Sequence, residues 1–255
     1  MFDITILGSG TSTGVPLIGC DCPVCISTDP KDNRLRTSIK IESATTTVVI
    51  DTTPDFRYQM LRTKTTVLDA VVFTHPHRDH YAGLDDIRPF NFFANKPMHI
   101  YANEITQVAI KRDFYYAFEP TKDAGLPEME LHTINTEPFL IGDIPFIPIK
   151  VMHRELPVLG FRIGDFTYIT DANYIAPEEQ EKIKGSKVLI LNALRREPHP
   201  THFTVEQALA MVESLAIPEA YFIHFSHQIG LHNEVEAQMP KGVKLAYDGM
   251  TFSIV

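Results

Sequence analysis

Four side chains able to bind a cation or move a proton stand within six residues in the segment His75-Pro-His77-Arg-Asp79-His80. Imidazole and carboxylate together are ligand chemistry for divalent metals, and a solvated loop has no other reason to gather three histidines. One tetrahedral ion that must keep a position open for water cannot use all four groups, so the segment points to two metals. Further donors follow at His153, Asp171 and His224. If Asp171 bridges the pair, each ion gains a full ligand set, and a hydroxide can sit between ions roughly 3.5–4 Å apart, the spacing typical of dinuclear hydrolases. Taken singly, His153 and His224 read better as ordinary histidines.

A second cluster precedes the first. All three cysteines of the chain, Cys20, Cys22 and Cys25, lie in the stretch GCDCPVC. An odd count this tightly spaced does not read as a disulfide framework in a chain of 255 residues. Thiolates at this spacing can reach one soft cation, and a closed zinc site then needs a fourth ligand from elsewhere. They read equally as three small, half-buried residues in a loop flanked by glycine and proline.

The elements that would position these groups are legible as short β-rich runs. FDITIL (2–7), TSIKIE (37–42), TTVVID (46–51), AVVFT (70–74), MHIY (98–101), IPFIPIKV (144–151), GFRI (160–163), FTYIT (166–170), KVLIL (187–191), AYFI (220–223), VKLAY (243–247) and TFSIV (251–255) are expected strands. Helices are expected over 104–112 behind an Asn103 cap, after Pro177 in EEQEKIK, and over 205–215 behind the Thr204/Gln207 capping box. Many strands with few helices imply two sheets with helices packed outside, an α/β layered architecture. The candidate ligands follow four separate strands, as in a site assembled along one sheet edge.

Composition bounds the rest. Hydrophobic residues make up 44% of the chain, enough for a sizeable core, and no linker or repeat divides it, so a single domain over 1–255 is expected. A net charge of −9 argues against a surface that grips long nucleic acids. MFDITILGSG reads as a first strand and not as a signal peptide, and no apolar stretch is long enough for a membrane helix, so a cytoplasmic location is expected. The glycine-rich stretch Gly8–Gly14 could offer amides to a phosphate but lacks the nucleotide-binding patterns, and a tight turn is expected there. Arg88 and the aromatics Phe114, Tyr115, Tyr116 and Phe118 could shape a pocket, or could be a surface arginine and a packed aromatic face. His99, His132 and His232 receive no role.

His75-x-His77-x-Asp79-His80, with His153, Asp171 and His224, resembles the metallo-β-lactamase superfamily over nearly the whole chain. That resemblance implies a four-layer αββα sandwich with a dinuclear metal site at its edge. One metal would be held by His75, His77 and His153, and the other by Asp79, His80 and His224, with Asp171 bridging and Asp51 orienting ligands from behind. Within the superfamily the opening GSGTSTGVPLIGCDCPVC, HFSHQ at 224–228 and YDGM at 247–250 are similar to PhnP-type phosphodiesterases. This likeness implies a structural zinc on Cys20, Cys22, Cys25 and His227. It also implies that His202, just ahead of the 205–215 helix, is the active-site acid, with His199 as the other candidate. His202 reads as well as an ordinary loop histidine near a helix N-terminus, where the dipole disfavours its charged form.

The function expected is a metal-dependent phosphodiesterase. It would act on a small cyclic or nucleotide-like phosphodiester, with 5-phosphoribosyl 1,2-cyclic phosphate as the specific candidate, through attack of a metal-bridging hydroxide. The alternatives are tRNA 3′ processing of the RNase Z kind, a PqqB-like role in cofactor biosynthesis, and a metal-binding or ligand-sensing module without catalysis. Manganese, zinc and iron all suit the mixed histidine and carboxylate shells. The partners expected are a small phosphodiester, no long nucleic acid and no membrane; a homodimer is left open.

Overall fold

The computed structural model describes residues 1–119 and 125–254. Among the described residues, fifteen strands fall into two sheets. The first contains β1 (Phe2–Gly8), β2 (Ser38–Glu42), β3 (Thr47–Ile50), β4 (Ala70–Val72), β5 (Met98–Ala102) and β6 (Met129–Thr133). The second contains β7 (Phe139–Ile141), β8 (Ile144–His153), β9 (Leu156–Ile163), β10 (Phe166–Ile169), β11 (Tyr174–Ile175), β12 (Val188–Asn192), β13 (Glu219–Ile223) and β14 (Val243–Leu245). The last strand, β15 (Thr251–Ile254), returns to pair with β1, giving the order β15-β1-β2-β3-β4-β5-β6 beside β11-β8-β9-β10-β12-β13-β14, with β7 on β8.

Side-chain alternation explains the layering. Along β3 and β4, Val48, Ile50, Ala70 and Val72 point between the sheets, where they meet Phe146, Phe161, Ile190 and Ile223. Val49 and Val71 point outward, against Phe56 and Met60 of helix α1 (Phe56–Arg62) and against Ile110 of a later helix. Leu189 and Leu191 of β12 likewise face away from the inter-sheet core, toward Val205, Ala208 and Val212. A strand buried on both faces reads as a continuous apolar run, and VVI, AVV and VLILN are such runs. The result is the expected α/β sandwich of two sheets flanked by helices.

The remaining helices are α2 (Arg78–Tyr81), α3 (Arg88–Ala94), α4 (Glu104–Asp113), α5 (Pro177–Ile183), α6 (Val205–Ser214) and α7 (His232–Glu236). The Asn103 side chain caps α4 by accepting from the Thr106 amide, and Pro177 begins α5. Both halves of the Thr204/Gln207 capping box form at the start of α6. α1, α3 and α7 were not expected, and neither were β6, β7 and β11; these are short elements whose form is set by what they pack on. Of the expected strand 251–255, Val255 lies outside the described residues.

Strand direction decides where the ligands go. β3, β4 and β5 run parallel, as do β10, β12 and β13, while β8 and β10 flank β9 antiparallel to both. The C-terminal ends of β3, β4, β8, β10 and β13 therefore open on one edge, and they deliver Asp51, His75, His153, Asp171 and His224. Gly83 closes the loop that carries the histidines, its amide donating to the Thr52 carbonyl at 2.9 Å. A Cβ at Gly83 would stand 2.0 Å from the Thr53 carbonyl oxygen. Gly83→Ala is expected to destabilise the fold by about 1–3 kcal/mol through this overpacking, read as a lowered urea midpoint.

Candidate metal centre

Asp171 follows β10 at φ 55°, a left-handed conformation that turns its carboxylate into the cleft between the sheets. Its oxygens lie 3.1 Å from His224 Nε2, 3.4 Å from His80 Nε2 and 3.7 Å from His75 Nε2. Asp51 and His224 also hold positive φ, at 69° and 64°. Backbone strain of this kind concentrates where a side chain must be aimed against local preference. Asp79, His80, Asp171 and His224 bring ligand atoms within 4.8 Å of one another; so do His75, His77 and Asp171, and so do His153, Asp171 and His202.

The hydrogen-bond network fixes which ring nitrogens face inward. Buried Asp51 accepts from the Thr74 amide at 2.9 Å, the Thr74 hydroxyl at 2.8 Å and His80 Nδ1 at 2.6 Å. Thr74 Oγ1 in turn accepts from His75 Nδ1 at 2.9 Å, and the Thr201 carbonyl accepts from His153 Nδ1 at 2.9 Å. With Nδ1 so engaged, it is Nε2 of each of these rings that faces the cleft. His75 Nε2 and His80 Nε2 are buried without hydrogen-bond partners, and so are both nitrogens of His224. Several buried lone pairs aimed at one carboxylate are costly unless a cation neutralises them, and this donor set fits divalent metal ions.

Burial alone would raise the Asp171 carboxyl, yet the facing His224 and His80 hold it well below the usual carboxylate range. Burial alone would lower His80, yet Asp171, Asp79 and Asp51 push it well above its ordinary value, so without a bound cation its ring carries the positive charge that these carboxylates demand. Burial and the neighbouring His80 push His75 well below its ordinary value, so it stays neutral and able to ligate.

Residues 46–225 match the family described as "Beta-lactamase superfamily domain". The chain belongs to the metallo-β-lactamase superfamily. A solved structure described as a new diphosphatase from the PhnP family is similar at 41% identity, covering 100% of this chain and 98% of that one with a TM-score of 0.94. Zinc-bound PqqB from Methylobacterium extorquens, at 18% identity with 99% and 100% of the two chains covered and a TM-score of 0.80, shares the fold. So does the short form of human tRNase Z, at 17% identity with 99% of each chain covered and a TM-score of 0.71. A curated protein of Porphyromonas gingivalis (strain ATCC BAA-308 / W83), named octanoyltransferase, is 40% identical over 248 residues, 96% of this chain. The chain spans 50% of that relative's length.

This superfamily member gathers its cysteines as well. Cys20, Cys22, Cys25 and His227 bring their sulfurs and one ring nitrogen within 4.8 Å of one another, with His227 Nδ1 at 3.4 Å from the Cys20 sulfur and 3.3 Å from that of Cys22. The hydrogen bond with His227 lowers the Cys22 thiol to about 6, whereas burial raises Cys25 to about 11. Buried Arg34 ties the loop down, donating to the Ser226 carbonyl at 3.1 Å, the Gly230 carbonyl at 3.0 Å and Asp32 at 3.1 Å.

His202 is brought to the centre, its ring 4.7 Å from those of both His153 and His224. His199 stands farther out, held by the Thr201 hydroxyl at 3.0 Å. Burial and the neighbouring His224 push His202 down to about 3. The bland readings hold elsewhere. Arg88 is an exposed arginine paired with Asp85, and Phe114 packs in the core beneath the outer helices. Tyr116 bonds Asp85, Phe118 packs against that same core, and Tyr115 is exposed. In the glycine-rich stretch Ser9 N donates to Asp248, Gly10 N to the Leu35 carbonyl and Thr11 N to the Phe225 carbonyl.

Three supporting residues went unread in the sequence. Thr74 relays between Asp51 and His75. Asn192 clamps Ala172, beside Asp171, through two hydrogen bonds of 2.8 and 2.9 Å. The Asp248 carboxylate, its side chain 5% exposed in a half-buried residue, pins Ser9 and Leu35. Their only local signal is a polar residue closing or following an apolar run. Asp51→Asn keeps a residue type that tolerates positive φ but weakens the bonds that aim His75 and His80. It is expected to lower metal affinity about 10–100-fold with the fold retained, measured by metal titration alongside circular dichroism.

Proposed function

We propose that this hydrolase cleaves a phosphorus–oxygen bond in a small phosphate carrying two substituents, with 5-phosphoribosyl 1,2-cyclic phosphate as the first substrate to test. The observation that carries the reading is the set of six donors, His75, His77, Asp79, His80, His153 and His224, grouped around the buried Asp171. In this reading His75, His77 and His153 hold one divalent ion, and Asp79, His80 and His224 hold the other, with Asp171 between them. Zinc, manganese and iron all suit such shells. When bound, the ions lower the pKa of water to about 7 and offset the negative charge of the phosphate.

The chain's own residues supply the rest. Asp51 and Thr74 lock the tautomers of His75 and His80, and the Thr201 carbonyl does the same for His153. In this reading His202, buried beside His153 and His224, is the group assigned to the departing oxygen. With no anion bound it is neutral, so it offers one N–H to a phosphate oxygen. The charge of a bound phosphodiester raises its proton affinity, which suits it to protonate the leaving group.

Hydrolysis of a P–O–P bridge is a second reading, favoured by the relative described as a PhnP-family diphosphatase. Both reactions break a bond at a phosphorus carrying two oxygen substituents, so one site serves either. The likenesses to tRNase Z and PqqB carry the fold alone, and the net charge of −9 counts against long RNA as substrate. The name octanoyltransferase belongs to a protein about twice as long, and the donor set gathered at the sheet edge supports metal-dependent hydrolysis over acyl transfer.

Phosphorus NMR of the zinc- or manganese-loaded chain should show opening of 5-phosphoribosyl 1,2-cyclic phosphate, lost in Asp79→Ala. Cleavage of a dinucleoside diphosphate alone would move the assignment to the P–O–P reading, and inertness toward both, and toward an aryl phosphodiester, would sink the proposal. In the same reading Cys20, Cys22, Cys25 and His227 hold a structural zinc. His227 lies three residues past His224, and Phe225 between them exchanges backbone hydrogen bonds with Ser9 and Thr11 at 3.0 and 2.9 Å. His227→Ala is therefore expected to lose one zinc per chain by elemental analysis and to lower turnover as well. Full metal content with full activity would refute that coupling.

A further inference from the structure

On the first sheet, away from both clusters, two histidines and a glutamate converge without any role in the chemistry above. In the parallel pairing of β5 with β6, His99 stands opposite Glu130 and Tyr101 opposite His132. Alternation puts all four side chains on one face of the sheet. His99 Nδ1 lies 2.9 Å from His132 Nε2 and 3.5 Å from Glu130 Oε2, while His132 Nε2 lies 3.7 Å from Glu130 Oε1. His99 is level with Ala70 in the β4 pairing, five residues before His75, so it lies roughly 16 Å back along the strand direction from the catalytic edge.

We propose that His99, Glu130 and His132 form a separate site for a divalent transition metal of the zinc class. Ligands 2.0–2.2 Å from one ion, at angles between a right angle and the tetrahedral value, stand about 2.8 to 3.6 Å apart. The two ring nitrogens, 2.9 Å apart, already fall in that range, and Glu130 brings one oxygen to 3.5 Å from His99 and the other to 3.7 Å from His132. A shared proton accounts for the contact between the imidazoles, but it leaves the carboxylate unused. Glu130 turns one oxygen toward each histidine at distances too long for a hydrogen bond, an arrangement suited to a carboxylate facing a cation. Two imidazoles and a carboxylate are a transition-metal donor set, not one for magnesium or calcium.

The surroundings favour order at this spot. The His132 ring stacks on Tyr101 at 4.6 Å, Tyr101 on Phe139 at 5.6 Å, and Phe139 on Phe146 in the inter-sheet core at 5.1 Å. The histidine is thus held by a row of rings anchored in the core. The three side chains remain between 32% and 53% exposed, so the ion would keep an open position and exchange with solvent. Because β6 is the outer strand of its sheet, a bound ion would also cross-link that edge to β5.

Equilibrium dialysis of the full chain against zinc, with the bound metal counted by mass spectrometry, tests this directly. Wild type is expected to hold one more zinc per chain than the His99→Ala/His132→Ala variant, with hydrolysis of an aryl phosphodiester unchanged. Glu130→Gln, a change at an exposed side chain that leaves the strands intact, is expected to weaken that zinc by more than about 10-fold and decides the matter if the double variant fails to fold. Equal zinc binding in wild type and Glu130→Gln, or equal stoichiometry in wild type and a folded double variant, overturns the site.

Discussion

A buried carboxylate ringed by imidazoles is the interaction on which the rest of this structure turns. Asp171 has no water to solvate it and gains its stability from His75, His80 and His224. Those rings must in turn present lone pairs to the cleft, which requires their other nitrogens to be engaged from behind. Asp51, Thr74 and the Thr201 carbonyl meet that demand, and each sits where a strand ends or a loop is pinned. The sandwich is a device for bringing the carboxyl ends of β3, β4, β8, β10 and β13 to one edge, so that polar groups from distant parts of the chain can share a dry cleft.

The same logic joins the two clusters of ligands. The cysteine loop and the strand end bearing His224 are stitched by Phe225 to Ser9 and Thr11, and by Arg34 to the carbonyls flanking His227. A loop rich in glycine has little intrinsic order. Here the amides of Ser9, Gly10 and Thr11 are bound by Asp248, Leu35 and Phe225 and brace the loop. What resembles a phosphate cradle in one dimension is a set of struts in three.

His202 shows how environment qualifies a role. A histidine ahead of a helix is unremarkable, yet burial against His153 and His224 makes it a strongly perturbed group at the centre of the site.

Much of the site was legible in the sequence because metal chemistry demands particular residue types at short spacing. His75, His77, Asp79 and His80 announce themselves within six residues, and the three cysteines within six more. The helix caps at Asn103 and Thr204 were equally local, since a cap is a contact between near neighbours. The supporting groups were not. Thr74, Asn192 and Asp248 are ordinary polar residues until strands β3, β4, β10 and β12 and the C-terminal turn place them against their partners. The pairing of His99 with Glu130 and His132 lay deeper still, because strand β6 was itself unread and the parallel register of β5 on β6 alone brings those side chains to one face. By itself the sequence determined the ligand chemistry and the layered α/β class, both of which depend on residue type and local pattern. Only the tertiary structure decided which polar groups are buried, which nitrogens face inward and which distant donors converge, because each of these depends on contacts between residues far apart in the chain.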